Sequence, residues 1–286
     1  MNVKFPSYKE EWSRKKDLNA PNQWHRYYHI HIQYVLNILK KGGVNIEMIP
    51  AEKFNYRDVV GFDCIINDHL CRFDFNDHEK LKYHSDEYKA YFKFHYKDSH
   101  KEVRDNIFPF SPVNFHDWDL YDKLTKEIKY NCSGKILNNQ SPAGAAIERR
   151  NYVHEMLKSN YDDNEVDINR YSKEDFFRLI NNASAIVCVP GARNDMLDRG
   201  QGQQMFFGAC TISPKLKTRL SYDRKILRGV HYVECKPDYS DLIQKIEWVK
   251  ENQEHAIKIG NAARKLFLET STPEKQIEWI KTCLDK

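Results

Sequence analysis

The sequence predicts an α/β fold in which helices cover both faces of parallel sheets. Segments with apolar residues at helical spacing alternate with short apolar runs along most of the chain, which is typical of parallel strands joined by helical crossovers. A proline-rich stretch, NIFPFSPVNFHDWDLY from Asn106 to Tyr121, interrupts this pattern, and the alternation then starts again. Because 286 residues are enough for two cores, the interruption predicts two domains of this type.

In the first half, one helix and three strands are predicted. Residues 30–40 carry apolar side chains at helical spacing and end at Gly42, a residue type that often closes a helix. Residues 44–49 are predicted as a strand, and residues 63–66 as a buried strand that ends at the triplet Asn-Asp-His. Residues 88–96, YKAYFKFHY, alternate aromatic and polar side chains, which is the pattern of a strand with one buried face.

The second half repeats the alternation more regularly. Strands are predicted at residues 135–138, 166–169, 185–189, 210–213 and 230–235. Helices are predicted at residues 145–159, 172–181, 202–208, 239–251 and 255–268, with a last one from Pro273. Ser172 and Asp175 have the spacing of a capping box at a helix start. We place the first domain at residues 1–125, the second at 126–270 and the last helix at 271–286.

The composition indicates a globular protein of the cytoplasm. Apolar residues make up 41% of the chain, and 45 basic residues stand against 41 acidic ones, an excess too small to indicate nucleic-acid binding by itself. The seven cysteines are scattered and form no Cys-x-x-Cys motif, so reduced thiols are expected. The polar N-terminus lacks the apolar core of a signal peptide, and no apolar run reaches the roughly 18 residues of a membrane span.

The segment VPGARNDMLDRGQGQQMFFGACTISP, residues 189–214, lies between two predicted strands and carries the strongest candidate site. Ligands of parallel α/β sheets bind beyond the carboxyl ends of the strands, where this loop lies. Glycine allows close approach of a ligand, arginine offers forked donors to phosphate oxygens, and a helix start near residue 202 adds amide groups and a positive dipole end. Glutamines at that helix start can bind sugar or base groups. The candidate donor-site residues of the loop are Gly191, Arg193, Arg199, Gln203 and Gln204.

The alternative for this segment is an ordinary surface loop with solvated arginines. Its pattern is neither Gly-x-Gly-x-x-Gly after a first strand nor Gly-x-x-x-x-Gly-Lys-Ser/Thr, which disfavours NAD and P-loop chemistry. A second pair of cations, Arg149 and Arg150, follows the strand at residues 135–138 and the small-residue turn NQSPAG. Either one of these arginines reaches a pyrophosphate while the other stays in solvent, or both lie on a solvated helix face.

Two stretches of the second half carry a family resemblance. They are GVHYVECKPDYSDLIQKIEWVKENQEHAIKIGNAARKLF, residues 229–267, and QQMFFGACTISP, residues 203–214. The segment from about Ser184 to Phe267 resembles the donor-binding half of GT-B glycosyltransferases, and is most similar to the group of Rumi-type protein O-glucosyltransferases and capsule-associated glycosyltransferases. That family usually has Arg-x-x-Glu before the glycine of the second stretch, whereas this chain has Gly200 and Gln203 at those spacings, with Arg199 one residue early.

The resemblance implies a GT-B fold, in which two Rossmann-like domains with parallel sheets face a central cleft. The second domain would hold a nucleotide-sugar, with a UDP-sugar as the expected donor, and the first would bind the acceptor. No metal or further cofactor is implied, because arginines and a helix dipole stabilise the leaving diphosphate. The last helix is placed to cross back to the first domain. The implied activity is the inverting transfer of a hexosyl or pentosyl group to an acceptor hydroxyl.

An inverting transfer needs a base that takes the proton of the acceptor hydroxyl. Asp68 is the best candidate because it directly follows a buried strand, and His69 could orient Asp68 or act in its place. Asp74 and Asp77 are weaker candidates in the same region. The structural alternative for Asp68 is a turn or a helix cap.

The stretch HRYYHIH holds His25, His29 and His31, the first two at helical spacing. No carboxylate stands at a metal-ligand spacing nearby, so packing, surface exposure or substrate contact is favoured over metal binding.

Three functions stay open at this point. The favoured one is a glycosyltransferase whose acceptor is a glycan, a lipid-linked sugar, a small molecule or a hydroxymethylated DNA base. DNA would require a cationic face and a flipped base, for which the stretches WSRKK and KEVR are weak candidates. The second function is a non-hydrolysing sugar epimerase on the same fold, and the third is a non-catalytic module that binds nucleotide or nucleic acid.

Overall fold

The computed structural model describes residues 1–7, 25–50, 61–76, 81, 86–112, 118–142, 144–169 and 171–286, without the side chains of residues 25–31 and 173. The strands are β1 Asn2–Ser7, β2 Asn45–Pro50, β3 Gly61–Ile66, β4 His69–Asp74, β5 Ala90–Lys93, β6 Ile107–Pro109, β7 Ile136–Leu137, β8 Val166–Asp167, β9 Ala185–Val187, β10 Thr211–Ser213, β11 Arg219–Leu220, β12 Arg224–Lys225 and β13 Val233–Glu234. The helices are α1 His25–Lys41, α2 Trp118–Glu127, α3 Ile147–Asn160, α4 Lys173–Ile180, α5 Arg199–Phe206, α6 Leu242–Glu251, α7 Gln253–Thr270 and α8 Pro273–Leu284.

The chain forms two compact units. The N-terminal unit consists of Met1–His116, Arg219–Arg224 and Thr270–Lys286. The C-terminal unit consists of Asp117–Thr218 and Lys225–Glu269. Both are of the α/β type, with sheets in which most neighbouring strands are parallel.

The N-terminal unit contains a six-stranded sheet in the order β2-β1-β3-β4-β5-β6. Five strands run in one direction, and β3 runs against its neighbours β1 and β4. The turn between β3 and β4 consists of Asn67 and Asp68, which have left-handed φ values of 47° and 64°. These two residue types tolerate the conformation that a two-residue hairpin requires. The reversed β3 is a difference from the predicted all-parallel sheet.

One face of this sheet is an aromatic core. The Phe73 ring lies between the rings of Phe62 and Phe92, with centroid distances of 5.2 and 4.8 Å. Tyr34 of α1 meets Phe110 edge to face at 6.3 Å. Because each buried aromatic side chain removes roughly 150–250 Å² from water, this cluster supplies much of the burial that stabilises the unit.

A glycine allows the C-terminal end of α1 to pack closely against the first turns of α8. The helix α1 ends as predicted, and Gly43 follows it with a left-handed φ of 65°. A Cβ atom on Gly42 would lie 2.4 Å from Cγ1 of Ile277 in α8, so the close approach of these two helices requires a residue without a side chain. Trp279 of α8 donates from Nε1 to the carbonyl of Pro109, at 2.7 Å.

The strand predicted at residues 88–96 is shorter and more buried than expected. Only Ala90–Lys93 form β5, and all four residues are buried. The strand lies between β4 and β6, and because residues pointing to both faces are buried, water contacts neither face. The ammonium group of Lys93 pairs instead with Asp74, at 3.3 Å. The polar residue Lys93 in this alternating pattern therefore belongs to a buried ion pair and not to a solvated face of the strand.

The C-terminal unit contains a five-stranded sheet in the order β13-β10-β9-β7-β8, and every neighbouring pair is parallel. The parallel sheet predicted for this half is confirmed, although each strand is shorter than its apolar run. The helix α4 begins at the predicted cap, where the hydroxyl of Ser172 accepts from the amide of Asp175 at 3.2 Å. The helix α5 begins three residues earlier than predicted, because Asp198 caps it by accepting from the amide of Gly200 at 2.8 Å.

All seven cysteines are buried free thiols. Among the helices of the described ranges, none combines the length and the hydropathy that crossing a bilayer would take.

Candidate functional site

The strands β7 and β9 are neighbours, but the chain leaves them toward opposite edges of the sheet. From β7 it crosses to β8 on one side, and from β9 it crosses to β10 on the other. In open α/β sheets the loops beyond such a pair diverge and leave a crevice at the carboxyl ends, which is where ligands bind. The two loops here are residues 138–142 and 188–198, and we call the space between them the β7–β9 crevice.

Arg149 of α3 connects its helix to the loop after β9. Its Nη2 donates to the carbonyl of Pro190 at 3.3 Å and to the carbonyl of Gly191. Its Nε is buried and has no hydrogen-bond partner among the described residues. The guanidinium is therefore held in place from one side while a donor on another side stays unused.

Arg150 holds both loops of the crevice together. Its Nε and Nη2 donate to the carbonyl of Val189 at 3.3 and 3.1 Å, and its Nη1 donates to the carbonyl of Ser141 at 2.9 Å. Its Nη2 also meets a carboxylate oxygen of Asp198 at 3.2 Å. All three nitrogen atoms of this guanidinium thus bind protein groups, which fits a positioning role.

A neutral histidine supports the base of the crevice. Nδ2 of Asn138 donates to the carbonyl of Val187 at 3.1 Å, and Oδ1 of Asn138 lies 3.0 Å from Nε2 of His154. Burial, followed by the charges of Lys158 and Arg150, lowers the pKa of His154. Because the ring is neutral near pH 7, we assign its proton to Nε2, which then donates to the asparagine oxygen.

Two amide side chains of the first loop are each bonded at one end only. Oε1 of Gln140 accepts from the amide of Val189, and Nδ2 of Asn139 donates to the carbonyl of Asn169 at 2.7 Å. Nε2 of Gln140 and Oδ1 of Asn139 are buried without a partner among the described residues. An unpaired buried polar atom costs about 1–3 kcal/mol, and a polar ligand or a water in the crevice would recover that cost.

The local charge of the crevice is positive. The crevice holds two guanidinium groups and one carboxylate: Arg150 meets Asp198, and Arg149 donates to main-chain carbonyls. That carboxylate also caps α5 through its other oxygen. The excess positive charge and the unused Nε donor of Arg149 suit an anionic ligand, above all a phosphate group.

The residues predicted for the donor site fall into distinct positions. The structure brings Arg149, Arg150 and Gly191 together. A Cβ atom on Gly191 would meet no protein atom within 4 Å, so open space lies in front of this residue. Gln204 is buried, and its Oε1 accepts from Sγ of Cys188 at 2.9 Å, which fixes α5 to the end of β9. Of the remaining predicted residues, Arg193 is an exposed residue of the loop. Arg199 is the first residue of α5, and Gln203 is a half-buried residue of the same helix.

Five residues of the crevice were not among the predicted site residues, namely Asn138, Asn139, Gln140, His154 and Asp198. The run Asn-Asn-Gln directly after an apolar strand was a signal for the first three, since polar residues at a strand end lie at the carboxyl edge. An aspartate just before a helix is a preferred cap, which was the signal for Asp198.

The residues predicted for the base lie in the β3–β4 hairpin and are exposed. Because β3 runs against the other five strands, its carboxyl end lies at the edge where those strands begin. Asp68 therefore lies at the edge opposite to Asp74, rather than with the other carboxyl ends as expected. Asp74 is buried, and its carboxylate accepts from the hydroxyl of Tyr91 at 2.5 Å and from the amide of Asn76 at 2.7 Å.

The remaining candidate residues of the sequence either lie outside the described residues or form ion pairs. Asp77 and the stretch WSRKK lie outside the described residues, as do the side chains of His25, His29 and His31. In the stretch KEVR, Lys101 pairs with Asp223 and Arg104 pairs with Asp86. Within the part of the chain that is described, no three His, Cys, Asp or Glu side chains group as metal ligands.

No protein-family model matches the chain, and no curated protein matches it. A solved structure that is similar is a glycosyltransferase from Rickettsia africae ESF-5, with 14% sequence identity and a TM-score of 0.45. The similarity covers 68% of this chain and 62% of the Rickettsia chain, so it spans less than two thirds of that protein. At this identity and TM-score it carries no assignment of activity.

Proposed function

We propose that the chain is a glycosyltransferase and that the β7–β9 crevice holds the diphosphate of a nucleotide-sugar. The observation that carries the proposal is Arg149, whose guanidinium is fixed by two carbonyls in a crevice with excess positive charge, and whose buried Nε has no hydrogen-bond partner among the described residues. The stretch that resembles GT-B enzymes, residues 229–267, supports the choice of activity. A UDP-sugar is the first donor to test.

In this proposal the arginines have different tasks. Negative charge grows on the diphosphate as its bond to the sugar breaks, and Arg149 donates to the oxygens that gain it. Arg150 acts as a positioning residue, because its nitrogens hold the two loops. Gly191 leaves room for the phosphates. Since the guanidinium groups take the leaving group's charge, the transfer is proposed to run without a metal.

The polar residues around the crevice are proposed to contact the rest of the donor. The unpaired ends of Asn139 and Gln140 offer an acceptor and a donor to hydroxyl or base groups. Arg193, Arg199 and Gln203 follow on the second loop and on α5, and we propose them as further contacts to phosphate and ribose. Gln204 supports the site from within the packing.

We propose that the acceptor binds to the N-terminal unit, as in the GT-B fold. An inverting transfer requires a base, and Asp68 with its neighbour His69 is the exposed candidate. This role requires the acceptor to bind at the hairpin edge of the sheet. A glycan is the first acceptor to test, and hydroxymethylated DNA is the second.

A panel of UDP-, GDP- and dTDP-sugars tests the proposal by thermal shift. A ligand that binds the folded state alone raises its stability, so one class of donor should raise the melting temperature. The shift should shrink in Arg149→Ala and persist in Arg178→Ala, since Arg178 is an exposed arginine paired with Glu174. Absence of a shift with every donor would overturn the proposal.

The base is tested separately by product analysis. Asp68→Asn should abolish sugar transfer and leave donor binding intact. Full turnover in this variant would remove Asp68 from the role, and release of an epimerised nucleotide-sugar without any transfer would favour an epimerase.

A further inference from the structure

A cavity of about 720 Å³ lies in the C-terminal unit, beside the edge strand β13. Its walls come from the turn before β13, the strand itself, the loop after it, and the helices α6 and α7. The volume falls in the range of about 300–1,000 Å³ that small-molecule sites occupy. None of the crevice residues described above lines this cavity, and β10 separates β13 from β9.

The acidic residues of the cavity wall are already engaged. Glu234 accepts from the hydroxyl of Tyr232 at 3.2 Å and pairs with Arg228 at 3.4 Å. Asp241 accepts from the amide of Lys236 at 2.7 Å and lies 3.9 Å from the ammonium group of Lys245. These contacts account for both carboxylates, so they neutralise no further cation.

Two lysines of the same wall have no such partner. Lys215 follows β10 and Lys236 follows β13, and both line the cavity with exposed side chains. Neither ammonium group lies within ion-pair or hydrogen-bond distance of another residue that the structure describes, and the charge of Lys236 contributes only weakly, after hydrogen bonds, to the lowered pKa of the exposed Asp238. Because the acids are used elsewhere, these lysines give the cavity an excess of positive charge that an anion would balance.

The cavity also has an aromatic and apolar side. The rings of Trp248 and His255 meet at 5.4 Å with an angle of 73°, and both residues line the wall. The apolar residues Val233 and Ile259 also line the wall. An indole beside unpaired cations suits a ligand that carries both a ring and a phosphate.

We propose that this cavity is a second ligand site, which takes a phosphate monoester of a ring-bearing small molecule. The ring packs on Trp248, and the phosphate binds between Lys215 and Lys236. A nucleoside monophosphate is the simplest member of this class. The site is distinct from the β7–β9 crevice and does not depend on the activity proposed for it.

Titration of the full chain with UMP, followed by tryptophan fluorescence, tests the proposal. UMP should change the emission, and Trp248→Phe should remove most of that change. The double variant Lys215→Gln/Lys236→Gln should bind UMP at least roughly tenfold more weakly, because two charge-assisted contacts are lost. The exposed-lysine control Lys258→Gln should titrate like the wild type.

Three results would overturn the proposal. The first is the absence of any UMP-dependent change in emission and in calorimetric heat. The second is a signal that Arg149→Ala abolishes while the double lysine variant keeps it, since that pattern places UMP in the crevice. The third is inorganic phosphate binding as tightly as UMP, which would remove the ring from the site. Because Arg149 distinguishes the two sites, failure here leaves the nucleotide-sugar test unaffected.

Discussion

The sheets of the two units use buried charge in different ways. In the N-terminal unit, Asp63 and Arg72 face each other across β3 and β4, with a side-chain distance of 2.6 Å and exposures of 3% and 2%. The hydroxyl of Tyr88 lies 3.1 Å from both oxygens of Asp63. Asp74 and Lys93 form a second buried pair on the neighbouring strands. Two acids and two bases balance one another within the fold.

In the C-terminal unit the balance is incomplete. The guanidinium groups of Arg149 and Arg150 bind mainly main-chain carbonyls, with Asp198 as the carboxylate between the loops. The paired buried charges of the N-terminal unit serve as scaffold, whereas the fixed guanidinium groups of the C-terminal unit outnumber their carboxylate, and this is the place where we propose that a ligand binds.

The largest expected effect is on the scaffold pair. Asp63→Ala leaves the guanidinium of Arg72 buried without its carboxylate, and should lower the free energy of unfolding by about 3–5 kcal/mol. Chemical denaturation measures this loss. Replacing both partners, Asp63→Leu with Arg72→Met, is the matched control and should restore most of the stability. A loss below about 1 kcal/mol in Asp63→Ala would contradict a scaffold role.

The next effect is on the loops of the crevice. Arg150→Ala removes the donors that hold Val189 and Ser141, and should cost about 2–3 kcal/mol of unfolding free energy. The exposed residue Arg178 is the control, and Arg178→Ala should leave stability close to that of the wild type. Equal losses in the two variants would show that Arg150 does not position the loops.

A smaller effect is expected for Gly191→Ala, which should change the affinity for the donor but not the stability of the fold. Gly191→Ala places a methyl group in open space, so stability should stay within about 0.5 kcal/mol of the wild type. If phosphates approach this backbone closely, the affinity for the donor should fall by roughly tenfold, about 1.4 kcal/mol. Calorimetry with the stabilising nucleotide-sugar gives the comparison, and unchanged affinity would move the ligand away from Gly191.

The smallest effect is a pH dependence. Burial, with the charges of Lys158 and Arg150, keeps the pKa of His154 below its ordinary value of 6.5. Below that pH the unfolded chain binds more protons at this position than the folded chain does, so stability should fall as the pH drops through about 6.5 toward 5. His154→Gln should flatten this part of the stability profile. An unchanged slope would show that other groups cause it.

The sequence predicted the parallel half of the molecule well and the mixed sheet poorly. Short apolar runs that end in polar turns identified β7 and β9, and with them the loops of the crevice. The direction of β3 was not predictable in this way, because local periodicity is the same for parallel and antiparallel strands. Asn67 and Asp68 look like the end of a strand, yet they form a hairpin turn.

The site was predicted only in outline for a related reason. Arg149 and Gly191 were identified from residue type and position. Which of their atoms stay unpaired depends on the carbonyls of a loop about 40 residues further along, at Pro190 and Gly191. The burial of Lys93 likewise depends on a partner 19 residues earlier. Contacts of this kind appear only when the fold brings the segments together.

We propose that the guanidinium of Arg149 binds the diphosphate of a nucleotide. Calorimetric titration of UDP into the wild type, Arg149→Ala and Arg178→Ala tests it most directly. Loss of a charge-assisted contact should weaken UDP binding by about 10- to 100-fold in Arg149→Ala alone. Equal UDP affinity in all three proteins would contradict the account.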